Sequence, residues 1–348
     1  MTSSGGGGLF RRPFSLHFGA AKNHAMTQAS ERAVAALEGG RQQDAVAIAQ
    51  DAASAGDAEC LALLARWRLI GSPLPRDLPE ARRLLRAATL AGSEDAAMME
   101  AALTANGTGA PQDWSGATAI LREAAERYGG PAAEDAALLS RMDLDGEGYP
   151  LALPEPESLS RDYQVKRWRE FLTPEECAHL AMSVRDLLAP SIVADPRTGR
   201  SIPHPIRTSS AAVVGPTRES LPLQAIMRRL AAATGTRVEQ GEPLNVLHYA
   251  PGQEYREHMD TLPHVTNQRT VTALIYLNTG YVGGETRFPA QNLSVAGGGG
   301  DMVAFANTLP DGSPDPRSRH AGAAVRQGVK WAATRWIRAK PFDVWNQG

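Results

Sequence analysis

Residues 248–260 read HYAPGQEYREHMD and close on a histidine and an aspartate two positions apart. On a β-strand, residues i and i+2 point to the same face, so His258 and Asp260 can reach one ion together. On an α-helix the same spacing turns them apart. By itself the pair is a weak signal, and two solvated polar residues are the better reading of it. Its surroundings decide whether the stretch is a strand, and with it the fold.

Beyond residue 162 the chain runs in short β-branched and aromatic stretches: NVLHYA (245–250), TVTALIYLN (270–278), DMVAFAN (301–307) and WAATRWIRA (331–339). Gly, Pro, Asn and Asp separate them, the punctuation expected of strands. Two helical segments come first, PEECAHLAMSVRDLLA (174–189) and LPLQAIMRRLAAATG (221–235). Helices followed by many strands predict an antiparallel double sheet flanked by helices.

Within such a sheet the polar residues acquire partners. His320, in SRHAGAAV beside an apolar run, supplies a second imidazole. Two histidines and one carboxylate leave three positions of an octahedral ion open on one side, which suits non-haem Fe(II) binding both a co-substrate and O₂; zinc favours a closed or nearly closed tetrahedron. Lys330 lies among Val329, Trp331 and Ala332, so its ammonium is expected to be drawn inward toward an anion. A dicarboxylate that chelates the iron at one end would present its other carboxylate there. The order His-x-Asp, His, Lys therefore predicts a site for 2-oxoglutarate.

The first half has another texture. From residue 27 to 142 it is rich in alanine and leucine at helical spacing, with Ala81, Leu84, Leu85 and Ala88 on one face. PRDLPEARRLLRAATLAGSEDA (75–96) realigns with PQDWSGATAILREAAERYGGPAAEDA (111–136) at a shift of 36 residues, and Gly71/Gly107, Pro75/Pro111, Asp77/Asp113 and Gly56/Gly92 keep that shift. A period of this size with paired helices predicts an α-solenoid, in which each unit buries its apolar face against its neighbours; an ordinary helical bundle is the alternative. The pattern of helix, AG(D/S), helix, G-x-x-x-P-x-D over residues 41–141 resembles Sel1-like repeats, relatives of the tetratricopeptide repeat. Residues 143–162, with Pro150, Pro154 and Pro156, read as a linker. Residues 1–26, opening on MTSSGGGG, read as a disordered leader, with Met26 as an alternative start.

Charge and cysteine content exclude several classes. With 36 basic against 38 acidic residues, nothing suggests a nucleic-acid groove or a membrane anchor. Cys60 and Cys177 are the only two cysteines, far apart in the chain, which predicts buried thiols and a cytoplasmic protein. No apolar run approaches the roughly 20 residues of a membrane span. The chain has no GxSxG, HExxH or phosphate-loop motif.

Taken together, FLTPEECAHL (171–180), IRTSSAAVV (206–214), EPLNVLHYAPGQEYREHMD (242–260), RTVTALIYLN (269–278), GGETRFP (283–289), DG (311–312), RHAGAAV (319–325) and GVKWAATRWI (328–337) resemble, in order, the catalytic domain of the prolyl 4-hydroxylase family of Fe(II)- and 2-oxoglutarate-dependent dioxygenases. The resemblance implies a double-stranded β-helix, or jelly-roll, over residues 163–348. It makes His258, Asp260 and His320 the metal ligands and Lys330 the partner of the distal 2-oxoglutarate carboxylate, all four acting in catalysis. Tyr249 and Thr286 are implied to help hold that co-substrate. Tyr255, Arg269 and Trp336 fall at positions that line the family's peptide groove. The implied reaction consumes O₂, yields succinate and CO₂, hydroxylates an unactivated C–H, and uses ascorbate to rescue uncoupled iron. Two departures from the family pattern are AGGGGD (296–301), expected to form a looser loop, and Arg319, at a site that is often apolar. His179, His204, His248 and His264 have no assigned role.

Three functions follow as expectations. The first is hydroxylation of peptidyl proline, with the solenoid recruiting the protein substrate. The second is hydroxylation of a free amino acid or other small metabolite, since a jelly-roll supports many substrates. The third is a binding scaffold with an inactive oxygenase domain.

Overall fold

The 36-residue repeat is visible in the helix ends. Asp57 and Ser93 cap α3 (Ala58–Ile70) and α5 (Glu94–Asn106), and Asp77 and Asp113 cap α4 (Leu78–Ala91) and α6 (Trp114–Tyr128), each side chain accepting a backbone N–H of the first turn. Gly71 and Gly107 end α3 and α5 at φ of 86° and 75°, a left-handed conformation that other residues adopt only with strain. Both helix starts recur at the repeat distance, and α3 and α5 also share their length and stop. α1 (Gln28–Glu38), α2 (Gln42–Ser54) and α7 (Gly130–Ser140) extend the row, each packed on its neighbours. This is the expected solenoid of helix pairs, and buried alanines such as Ala65, Ala81, Ala88, Ala101 and Ala117 let the backbones approach closely.

The computed structural model describes residues 26–161, 163–194, 201–203 and 206–346. The expected leader, apart from Met26, and His204 lie outside the described residues. Within the described residues the chain forms two compact units. One takes in the repeats to Leu153 together with Gly215–Val238; the other holds Pro154–Val214 and the chain from Glu239 onward. This departs from the limits 27–142, 143–162 and 163–348 read from the sequence. The second expected helix, α9 (Leu221–Thr234), lies in the helical unit, packed on α5 and α7. Gln224 donates to Ala102 O at 2.9 Å, and Arg228 donates to Ala105 O at 3.2 Å while its guanidinium lies 4.2 Å from the Trp114 ring. Its sequence is amphipathic helix in either setting, and pattern alone does not say which apolar surface covers it.

In the other unit, numbered in chain order, an antiparallel sheet of eight strands has the order β1 (Glu157–Ser158), β2 (Val165–Trp168), β13 (Met302–Ala306), β9 (Arg269–Tyr276), β16 (Lys330–Arg338), β7 (Asn245–Tyr249), β6 (Ser210–Val213), β3 (Ala189–Pro190). A four-stranded antiparallel sheet has the order β12 (Leu293–Val295), β11 (Thr286–Phe288), β14 (His320–Gly322), β8 (Tyr255–His258). Two short antiparallel strand pairs, β4 (Ile192–Ala194) with β5 (Ser201–Pro203) and β10 (Val282–Gly283) with β15 (Val325–Gln327), complete it. Side chains of both larger sheets line one cavity, which is the jelly-roll arrangement. Tyr163, Tyr276, Phe288 and Phe305 anchor a core cluster beside it.

α8 (Pro174–Met182) begins in a full capping box, Thr173 with Glu176. It ends sooner than the expected 174–189. Pro190 biases Ala189 to an extended conformation, and these two residues pair with β6 as an edge strand. The glycine loop 296–301 is tighter than expected. A Cβ on Gly297 would fall 2.1 Å from the Tyr276 ring, and Asp301 accepts N–H bonds from Glu170 and Gly298. Cys60 and Cys177 are free and buried, as read from the sequence. No helix among the described residues is long and apolar enough to cross a membrane.

Candidate active site

His258 ends β8 and His320 begins β14, and the ladder sets them directly opposite each other. Opposed residues of an antiparallel pair present their side chains on the same face. The two rings lie with centroids 4.3 Å apart. Asp260, just past the strand, brings Oδ1 to 3.7 Å from His258 Nε2 and Oδ2 to 3.7 Å from His320 Nε2. One ligand atom from each residue lies within 4.8 Å of the others, the one such cluster among the described residues.

The electrostatics suit a divalent cation. His258 Nδ1–H donates to Arg256 O at 2.8 Å, and His320 Nδ1–H donates to Ser318 O at 2.9 Å. These bonds fix the tautomer and leave each Nε2 lone pair facing the cluster. Burial, together with the charge of His320, pushes the His258 pKa down to about 4, so the imidazole is neutral at pH 7. Burial opposes ionisation of Asp260, but the two imidazoles, Arg269 and the Thr272 hydroxyl outweigh it and hold its pKa below the usual carboxylate range. Two imidazoles with Nε2 facing the cluster and a carboxylate on one side of a cavity form the donor set that suits Fe(II) with open positions.

Lys330 opens β16 opposite Tyr249 of β7. It is 4% exposed, and its ammonium donates to Gly284 O at 2.6 Å. Burial pushes its pKa down to about 8, with the Glu285 charge acting in the opposite sense; at neutral pH it is still protonated. An ammonium has three protons to donate, so this buried cation retains capacity for an incoming anion. Its Nζ lies 5.5 Å from the Tyr249 ring and 5.0 Å from the Tyr276 ring.

The cavity is lined by Tyr249, Tyr255, His258, Asp260, Thr286, His320, Lys330 and Trp336, all named from the sequence. Tyr255 stacks on the His258 ring at 3.5 Å and 14°. Thr286 shares a 2.7 Å hydrogen bond with the Tyr276 hydroxyl. Arg269 lies with its guanidinium 3.9 Å from the Trp336 ring. The indole N–H of Trp336 is buried with no protein acceptor. Arg319 is exposed, and neither His179, His248 nor His264 lines the cavity.

Several site residues were not read from the sequence. Arg207 lines the cavity with its guanidinium 5.5 Å from the Tyr255 ring. Glu242 is a buried carboxylate that accepts Arg269 on both oxygens, at 2.6 and 2.7 Å, and meets Arg338 Nε at 2.6 Å. Thr272 and Tyr276 share one face of β9 by their even spacing, so the period-2 pattern of TVTALIY could have nominated them. No local signal marks Glu242, whose partners arrive from β9 and β16.

Residues 244–338 match the family described as the 2OG-Fe(II) oxygenase superfamily. The chain is 36% identical over 217 residues to Prolyl 4-hydroxylase 1 of Arabidopsis thaliana, covering 57% of this chain and 77% of that protein. Among solved structures it is similar to the viral collagen prolyl hydroxylase of Paramecium Bursaria Chlorella virus-1 in its 2OG complex, at 24% identity and a TM-score of 0.42, over 51% of this chain and 96% of that one. It is also similar to a Sel1 repeat protein from Oxalobacter formigenes, at 21% identity and a TM-score of 0.29, over 31% of this chain and 85% of that one.

Proposed function

Because this chain belongs to the prolyl 4-hydroxylase family of Fe(II)- and 2-oxoglutarate-dependent oxygenases, we propose that it hydroxylates proline in a peptide or protein. One observation carries the reading: two histidines and a carboxylate converge in the same cavity as a buried ammonium with protons to spare.

His258, Asp260 and His320 would hold Fe(II), each imidazole through the Nε2 that its Nδ1–H bond leaves free. Bound there, the metal with 2-oxoglutarate and O₂ supplies the oxidising power for C–H hydroxylation, the part of the chemistry that no side chain can perform. Lys330 would pair with the distal carboxylate of 2-oxoglutarate, with Tyr249 and the Thr286–Tyr276 hydroxyl pair beside it. Tyr255, Arg269 and Trp336 would shape the groove for the peptide, Tyr255 by covering one face of the His258 ring and Arg269 by bracing Trp336. The remaining walls, among them Leu247, Leu274 and Phe305, keep water from the reacting centre. Succinate and CO₂ as co-products, ascorbate as the reductant that restores uncoupled metal, and a cytoplasmic setting belong to the same proposal. So does recruitment of the protein substrate by the helical repeats, whose stacked units form an extended surface.

The test incubates the purified full chain with Fe(II), 2-oxoglutarate, ascorbate and air, offering proline-rich peptides and free proline in parallel. Succinate release matched by gain of one oxygen atom on a peptide supports the proposal. Oxidation of free proline alone would transfer the function to a small metabolite, and absence of metal-dependent succinate would leave a scaffold.

A further inference from the structure

Behind Asp260 lies a buried polar relay that the metal-ligand assignment does not use. Thr272, on β9 and 2% exposed, donates its hydroxyl to Asp260 Oδ2 at 2.6 Å. Asn307, immediately after β13 and fully buried, donates Nδ2–H to Thr272 Oγ1 at 2.8 Å. The direction of the relay follows from proton counting. A threonine hydroxyl has a single proton to give, and the carboxylate can only accept it. The bond from behind must therefore come from a donor, and the amide nitrogen of Asn307 is that donor.

The relay has a cost. With Nδ2 committed to Thr272, Asn307 Oδ1 is buried with no protein partner, and an unpaired polar atom in an interior is destabilising. Hydrophobic residues filling the same volumes would avoid that cost but would leave the carboxylate free to rotate. The backbone of Asn307 is equally committed. Its N–H donates to Thr270 O at 2.8 Å, and its carbonyl accepts Asp315 N–H at 3.0 Å. Asp315 starts the short turn Pro316–Ser318, whose Ser318 O holds His320 Nδ1–H. One buried asparagine thus steadies the carboxylate through Thr272 and, by its main chain, the turn that aims the second imidazole.

We propose that Thr272 and Asn307 are positioning residues for the metal centre: they lock the rotation of the Asp260 carboxylate so that it meets the ion in one orientation, alongside the two imidazoles. The proposal rests on the reading of His258, Asp260 and His320 as metal ligands. Groups that orient ligands in this way commonly affect metal affinity by about 10- to 100-fold.

The experiment measures Mn(II) affinity of the full chain in the absence of 2-oxoglutarate, from the paramagnetic resonance signal of the free ion, so no turnover is needed. The expected result is that Thr272→Val, nearly the same shape without the hydroxyl, binds Mn(II) about 10- to 100-fold more weakly, that Thr272→Ser restores affinity close to that of the unmutated chain, and that Asn307→Ala shows a smaller loss in the same direction. Adding Asn307→Ala to Thr272→Val should cost nothing further, because the amide acts through the hydroxyl. Unchanged affinity in a cooperatively melting Thr272→Val chain overturns the proposal. If that variant does not fold, Asn307→Ala decides: unchanged affinity there overturns it as well. Failure of the unmutated chain to bind Mn(II) is a different outcome, which removes the ligand assignment itself and this proposal with it.

Discussion

His258 and His320 stand directly opposite one another on β8 and β14, with their ring centroids 4.3 Å apart. Two residues far apart in sequence become immediate neighbours because the antiparallel ladder pairs the end of β8 with the start of β14. Replacing either with alanine removes one of three donors. His258→Ala or His320→Ala should abolish metal-dependent succinate release while leaving the far-UV circular dichroism unchanged; full turnover in both variants would refute the assigned site.

Lys330 sets a pH limit on co-substrate binding. Its pKa in the folded chain is pushed down to about 8 from 10.5, so the unfolded chain binds more protons between those values and stability rises as pH increases through that window. Binding of an anion runs the other way, because it needs the ammonium. Calorimetric affinity for 2-oxoglutarate, with Mn(II) present, should be level below about pH 8 and fall above it. In Lys330→Met it should be weak at every pH. A pH dependence that persists in the methionine variant would assign it to another group.

Glu242 pairs with two guanidinium groups inside the sheet, Arg269 and Arg338. Glu242→Ala leaves Arg269 and Arg338 without their shared carboxylate, and removing one partner of a buried ion pair costs about 3–5 kcal/mol. Thermal melting should shift strongly downward. Because Arg269 braces Trp336, the KM for a peptide should rise more than the KM for 2-oxoglutarate.

Gly297 gives the Tyr276 ring its place. A methyl group there would meet the ring at 2.1 Å, and the ring cannot retreat from a packed core without strain. Gly297→Ala should lower the melting temperature and weaken 2-oxoglutarate binding, because Tyr276 lies beside Lys330. Binding equal to that of the unmutated chain would show that the ring position does not matter.

Removing the repeats should damage what remains. Leu223, Ile226, Met227 and Leu230 of α9 are each at most 3% exposed, and α5 and α7 are among the elements packed on this helix. A chain lacking residues 1–142 would expose apolar surface of α9 and should bind a hydrophobic dye or aggregate. A soluble, dye-silent product would show that α9 needs no cover from the repeats.

Much was legible because it depends on short periods. The strands at 245–249, 269–276, 302–306 and 330–338 follow apolar and β-branched runs, and the caps at Asp77 and Asp113 follow a repeated turn motif. Lys330 could be read as inward-facing from its apolar neighbours alone. Residues whose role comes from a partner on another element were not legible: Glu242 receives its two arginines from β9 and β16, and Asn307 its threonine from β9.

The sequence alone determined the classes of structure, helix pairs then antiparallel strands, and the donor types at the site, because periodicity and side-chain chemistry are local properties. Only the tertiary structure decided that α9 joins the helical unit, that the glycine loop is tight against Tyr276, and that Thr272 and Asn307 stand behind Asp260. Each of these depends on which surfaces meet across long stretches of chain, and an apolar face or a buried amide has no preference among partners until packing supplies one.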